Sequence, residues 1–286
     1  MPTYRLGAKG PEVVRIQEQL KFEGFYLGGR NFWWGNRSCG KAVSIAKRLA
    51  SDGQVGPHTW AVLFPGVPIP APLILSESIQ FRCMALTGSF ETDNSFPDCF
   101  AGPSGDFDGQ GISFGVLQWN LGQGSLQPLL RKIIKAEPEM VESIFAQNYE
   151  ELNSVLAASK SEQMNWARSI QNLKHILNEP WKGHFKTLGR HPLCQDIQVE
   201  SATRFFNSAS ALCRDFGLLS SRAAALMFDI KVQNGSISKL VKASAAKDEW
   251  VEDVRSRKLT IANGQGTVHG NFYDLKEQYG LGLELF

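Results

Sequence analysis

The sequence is poor in the features that mark several large classes of protein. No apolar run approaches the roughly 20 residues needed to span a bilayer. The first residues, Met1-Pro2-Thr3-Tyr4-Arg5, hold no apolar signal-peptide core. The expectation is synthesis in the cytoplasm without a signal peptide, and no stable membrane insertion. The five cysteines, Cys39, Cys83, Cys99, Cys194 and Cys213, are odd in number and follow no metal-ligand spacing. They read as reduced structural thiols, with a Cys83–Cys99 pairing left open. The five histidines are scattered, so no zinc-peptidase pattern arises and no metal site is expected. A cysteine–histidine peptidase has no local signature either. No clustered basic run or nucleic-acid motif is present, and nucleic acid is not an expected partner. Internal repeats and low-complexity tracts are also missing.

What remains is ordinary globular material. The chain has 286 residues, 43% hydrophobic and 20% charged, enough for one or two domains with sizeable cores. The net charge of +2 is unevenly spread. Residues 1–66 carry nine Lys/Arg against four Asp/Glu, a balance of +5, and residues 67–286 carry 21 against 24, a balance of −3. A basic first segment suits an anionic polymer surface.

Apolar Val13, Ile16 and Leu20 repeat at helical spacing after Gly10-Pro11. A second helix is expected over 38–49. Asp52-Gly53-Gln54-Val55-Gly56-Pro57-His58-Thr59-Trp60-Ala61-Val62-Leu63 reads as a glycine-shaped turn feeding a third helix, with Pro57 in its first turn. Together these segments resemble the small three-helix peptidoglycan-binding domain. At 31–40, Phe32-Trp33-Trp34-Gly35 replaces that family's usual Asp-Gly-x-Phe-Gly turn. Trp33, Trp34 and Trp60 are either wall-binding or packed, with packing favoured for Trp60. Residues 65–72 hold four prolines and form neither a regular helix nor a central strand. The expected organisation is therefore a module at 1–64, a linker at 65–72 and a larger domain at 73–286.

The larger domain reads as mainly helical, with helices expected over 77–90, 126–135, 161–177, 201–216, 220–233 and 236–257. Residues 102–124 contain seven glycines and predict a short β-hairpin or irregular ribbon.

Two segments there carry candidate chemistry. Ala85-Leu86-Thr87-Gly88-Ser89-Phe90-Glu91-Thr92 puts Glu91 at a helix C-terminus. Phe107-Asp108-Gly109-Gln110-Gly111-Ile112-Ser113-Phe114-Gly115 puts Asp108 in the ribbon. Glycoside hydrolysis commonly uses two carboxyl groups in different environments, one protonated against apolar neighbours such as Phe90 and one ionised in a wetter setting. Asp93, Asp98 and Asp106 are alternatives to Asp108 as the base. Trp119 offers a ring for sugar stacking or a core residue. Gln118 and Asn120 offer amides to sugar groups or local backbone caps.

The order helix–Glu followed by Asp-Gly-x-Gly-x-Ser/Thr-x-Gly resembles the family 46 chitosanases and their relatives in the lysozyme-like superfamily. The resemblance implies a lysozyme-like α+β domain in which Glu91 is the general acid, Asp108 the general base, and Ser113 helps hold the attacking water. Phe228-Asp229-Ile230-Lys231-Val232-Gln233-Asn234-Gly235 resembles a helix end near the cleft of such enzymes, and it brings Asp229 and Asn234 into the candidate substrate site. Gln110 stands where that family often has Arg. The stretches at 115–120 and 261–266 look more like cell-wall lysins. The chain as a whole resembles a modular phage-type endolysin. That resemblance implies a monomeric glycosidase acting without a cofactor on bacterial peptidoglycan after release from the cytoplasm. The rivals are a lytic transglycosylase, a chitosanase-like hydrolase and a non-catalytic wall-binding protein.

Overall fold

The computed structural model of the chain describes residues 11–23, 55–238 and 249–286. The helix expected over 38–49, the residues Trp33, Trp34 and Cys39, and the turn at 52–54 lie outside these described residues.

At the N-terminal end, helices α1 (Pro11–Phe22) and α2 (Pro57–Leu63) pack together. Gly56 caps α2 and Pro57 occupies its first turn, where no backbone donor is needed. Val13, Ile16 and Leu20 form one stripe of α1 and meet Val55, Trp60, Leu63 and Phe64 in a core of their own. Trp60 is 1% exposed, and its indole N–H donates to the Val67 carbonyl at 3.0 Å. Residues 67–72 then run without regular secondary structure.

Among the described residues the remainder is mainly α with two small antiparallel sheets, the class expected from the sequence. Helix α3 (Ile79–Thr92) starts at Ser78, whose side chain accepts the Phe81 N–H, and ends at Asp93 in the left-handed region. Its residues are buried from Cys83 through Phe90, on every face. Such a helix lies inside a core rather than on one side of it. Its surroundings are α11 (Ser221–Asn234), α12 (Glu249–Asn263), the hairpin β4–β5 (Gln265–Val268, Asn271–Asp274) and α13 (Leu275–Tyr279). Gly88 makes one close approach possible: a Cβ there would stand 2.1 Å from Val116 Cγ2.

A second core joins the glycine-rich ribbon to the run of short helices α4 (Leu126–Ala136), α5 (Pro138–Phe145), α6 (Tyr149–Ala157), α7 (Lys160–Ser169), α8 (Trp181–Arg190) and α9 (Pro192–Ser201). Helix α10 (Thr203–Asp215) leads back to α11. The ribbon itself is three two-residue strands, β1 (Pro103–Ser104), β2 (Ser113–Phe114) and β3 (Trp119–Asn120), paired antiparallel in that order. Trp119 packs against both cores and joins them.

The single helix expected over 161–177 is not formed. Helix α7 stops at Ser169, and the Asn172 side chain accepts the N–H groups of Lys174 and Ile176, closing a turn that competes with the helix. His175 adopts φ 55° within that turn. The interruption carries residues 175–177 to the candidate site. Among the described residues, no helix is long and apolar enough to cross a membrane.

Candidate active site

Helix α3 delivers Glu91 in its last turn, beside the buried ring of Phe90. Glu91 Oε1 accepts a hydrogen bond from Arg257 Nη1 at 2.8 Å and another from Gln233 Nε2. Arg257 is 2% exposed and turns its other nitrogen, Nη2, to Asp229 Oδ1 at 2.8 Å. Lys258 Nζ donates to Asp229 Oδ2, and the Thr87 hydroxyl donates to Asp229 Oδ1 at 3.2 Å. The guanidinium also lies 5.1 Å from the centre of the Phe90 ring. Three helices thus meet in one network: α3, α11 and α12. Burial pushes the Asp229 carboxyl up, but Arg257 and Lys258 outweigh it and hold the group below its ordinary value. Burial lowers Lys258, and Asp229 and Glu91 raise Arg257 against its own burial. Asp229 therefore stays ionised and ties up one face of Arg257. The other face holds Glu91. Oε2 of Glu91 accepts no hydrogen bond among the described residues.

A cleft of about 360 Å³ opens beside this carboxylate. Glu91, Thr92 and Asn94 form one wall, and the ribbon supplies Gly102 to Gly105, Phe107 and Gln118. The interrupted segment His175–Leu177 and two lysines of α8, Lys182 and Lys186, complete the lining. Among the described residues, Glu91 is the one carboxylate lining the cleft. Phe107 is 67% exposed, with its ring 5.4 Å from that of His175.

The other expected residues fall as follows. Asp108 is exposed on the loop between β1 and β2, next to Phe107, and its Oδ1 accepts the Gln110 N–H at 3.1 Å. The three alternatives all have side-chain partners: Asp93 meets His269 Nδ1 at 2.9 Å, and Asp98 and Asp106 form ion pairs with Arg190 and Arg168. Asp106 also accepts the Gly111 N–H at 2.7 Å and shapes the loop. Of the four aspartates, Asp108 alone has no basic side chain as a partner among the described residues. Ser113 Oγ accepts from Asn120 Nδ2 at 3.0 Å, one residue pair across the β2–β3 ladder. Asn120 Oδ1 in turn accepts the Gln123 N–H.

Gln118 lines the cleft, but its amide is engaged at both ends. The NH2 donates to the carbonyls of Gly102 and Gly115, and the oxygen accepts from Ser104. Trp119 is half-buried between the two cores. Asn234 is 7% exposed, and neither end of its amide has a partner among the described residues.

Solved structures of chitosanases resemble this chain. A GH46 chitosanase from Gynuella sunshinyii, in complex with chitotetraose, matches at 12% identity and TM-score 0.44 over 70% of this chain and 98% of its own. A second chitosanase, solved with substrate, matches at 15% identity and TM-score 0.42 over 71% and 99%. A chitosanase from Bacillus subtilis matches at 17% identity and TM-score 0.39 over 65% and 77%. No family model matches the chain.

Sequence reasoning missed Arg257, Lys258, Thr87, Gln233, Phe107 and the two lysines. One signal for Arg257 was present. Val254, Arg257 and Ile261 fall on one face of α12. Both apolar residues are buried, so a charge between them needs a buried partner.

Proposed function

We propose that residues 73–286 hydrolyse the glycan strand of bacterial peptidoglycan, and that residues 1–64 form a separate module that docks on it. The observation that carries this reading is Glu91: a single carboxylate in a sugar-sized cleft, fixed through one oxygen and open at the other. Protonated on Oε2, it donates to the glycosidic oxygen as the bond to the anomeric carbon breaks. The carboxylate left behind keeps Arg257 and Gln233 on Oε1, so the charge that develops meets donors already in place. Asp108, which adjoins the cleft residue Phe107 and has no ion-pair partner among the described residues, takes the proton of an attacking water that Ser113 helps to orient. Phe107 offers an exposed aromatic face to a pyranose. This chemistry uses no cofactor. Joining the catalytic domain to a wall-docking module raises its local concentration on an insoluble polymer.

The cleft also bears on the sugar. Chitosan is polycationic, and a wall with two lysines and one carboxylate disfavours it relative to a neutral or anionic strand. The second reading is a lytic transglycosylase, which needs no second carboxylate: one Glu protonates the leaving oxygen and then takes the proton of the C6 hydroxyl as that oxygen closes on the anomeric carbon. The exposure of Asp108 favours it. Mass spectrometry of products from purified peptidoglycan separates the two, since a transglycosylase releases anhydro ends one water lighter. Hydrolysis requires that Glu91→Gln and Asp108→Asn each lower cleavage by about 10²–10⁴-fold. Near-normal turnover by Asp108→Asn with anhydro products moves the assignment to the transglycosylase. Full activity of Glu91→Gln refutes both.

A further inference from the structure

The cleft holds an electrostatic feature that proton transfer at Glu91 does not use. Lys182 and Lys186 lie one helical turn apart on α8, and both line the cleft that Glu91 lines. Ammonium groups at i and i+4 repel and weaken the helix that carries them. Neither has an ion-pair partner among the described residues. The nearby acid Glu179 accepts the Gly183 N–H through Oε2 at 2.8 Å and forms no ion pair with either lysine among the described residues. The cation at the end of the same helix is treated differently: Arg190 closes a two-point pair with Asp98 at 2.7 and 3.1 Å. The fold thus neutralises position 190 and leaves positions 182 and 186 to the cleft. Flexible ammonium stems of this kind reach an anion whose position varies between substrate units.

We infer that Lys182 and Lys186 are specificity-determining residues that bind carboxylates hanging from the glycan strand, the lactyl or stem-peptide carboxylates of peptidoglycan, and disfavour strands bearing free amino groups. The inference rests on the reading of the cleft as a glycan-binding site. Carboxylates recur along such a strand on alternate sugars. One seated against α8 sets which sugar spans Glu91, so the two lysines select register as well as charge.

The test uses the full chain and its Lys182→Gln, Lys186→Gln and double variants. Three soluble probes are compared: muropeptide oligomers with intact stem peptides, neutral N-acetylated chitohexaose, and the cationic glucosamine hexamer. The ratio of kcat/KM for the anionic probe to that for the neutral one is expected to fall about 10- to 100-fold in the double variant, mainly through KM. The wild-type preference should also shrink with salt. An unchanged ratio in a double variant with wild-type circular dichroism overturns the inference, and so does a wild-type preference for the cationic hexamer. The latter result leaves Glu91 as the acid of a different glycosidase. Calorimetric binding to the Glu91→Gln chain, alone and combined with the lysine changes, separates the two claims. If no probe is cleaved but the lysine changes still abolish preferential binding of muropeptides, the hydrolase reading fails and the carboxylate site stands.

Discussion

Replacing Arg257 by methionine tests the network where it is most exposed to failure. The substitution keeps much of the aliphatic stem and removes the guanidinium, so Asp229 Oδ1 loses its 2.8 Å partner while the carboxylate stays fully buried. Breaking a buried ion pair from one side costs about 3–5 kcal/mol. Lys258 and Thr87 remain on Asp229, which places the expected loss near the lower bound, about 3 kcal/mol. At roughly 2–4 °C per kcal/mol for a domain of this size, the melting temperature should drop by about 6–12 °C. Adding Asp229→Asn removes the stranded charge, so the double variant should be less destabilised than the sum of the two singles. Calorimetry and urea unfolding measure both. A loss below about 1 kcal/mol, or strict additivity, refutes the claim that Arg257 compensates a buried charge. The pH dependence follows with a definite sign. The folded Asp229 carboxyl is held below its unfolded value of about 3.9, so its contribution is present above that pH. It is lost as pH falls through the folded value, and an Asp229→Asn chain should lack that part of the acid transition.

Gly88→Ala drives a methyl group into Val116 at the seam between α3 and the ribbon; it should destabilise by about 1–3 kcal/mol in thermal melts, and a neutral result contradicts the packing described there. Burial pushes the Cys99 and Cys194 thiols up to about 12 and raises Cys83 further, so at pH 8 iodoacetamide should label these three only after denaturation, as read by mass spectrometry. Residues 1–66 alone should sediment with purified peptidoglycan more strongly than residues 73–286 alone, and less so as salt rises; equal sedimentation removes the division of labour.

The sequence was most legible where a helix announces both ends. Residues 126–135 and 220–233 match the observed Leu126–Ala136 and Ser221–Asn234, the latter opened by Ser220 and closed by Gly235 at φ 71°. The placement of Glu91 in a terminal helical turn was legible for the same reason. The four short helices α5, α6, α8 and α9 were not read, although Pro138 and Pro192 stand in first turns. Eight to ten residues give too few turns for a periodic pattern to stand out. Local pattern also failed at 161–177, where apolar spacing continues past Ser169 but Asn172 bonds its own backbone instead. That break forms one wall of the cleft, so the misread residues are those the site needs. The electrostatics were least legible. Asp229 was singled out from its helix end, yet the groups that keep it charged lie 28 and 29 residues away, and nothing local pairs them.

Arg257 reaches back 166 residues to hold Glu91. At a synthesis rate of roughly 5–20 residues per second, the carboxylate emerges from a ribosome some ten to thirty seconds before the guanidinium that fixes it. During that interval the nascent chain contains an acid without its anchor and a cleft without a finished wall. Any chain that stops before residue 257 holds Glu91 without its Arg257 partner. The anchor of Glu91 therefore arrives late, set by a contact between the two ends of the larger domain.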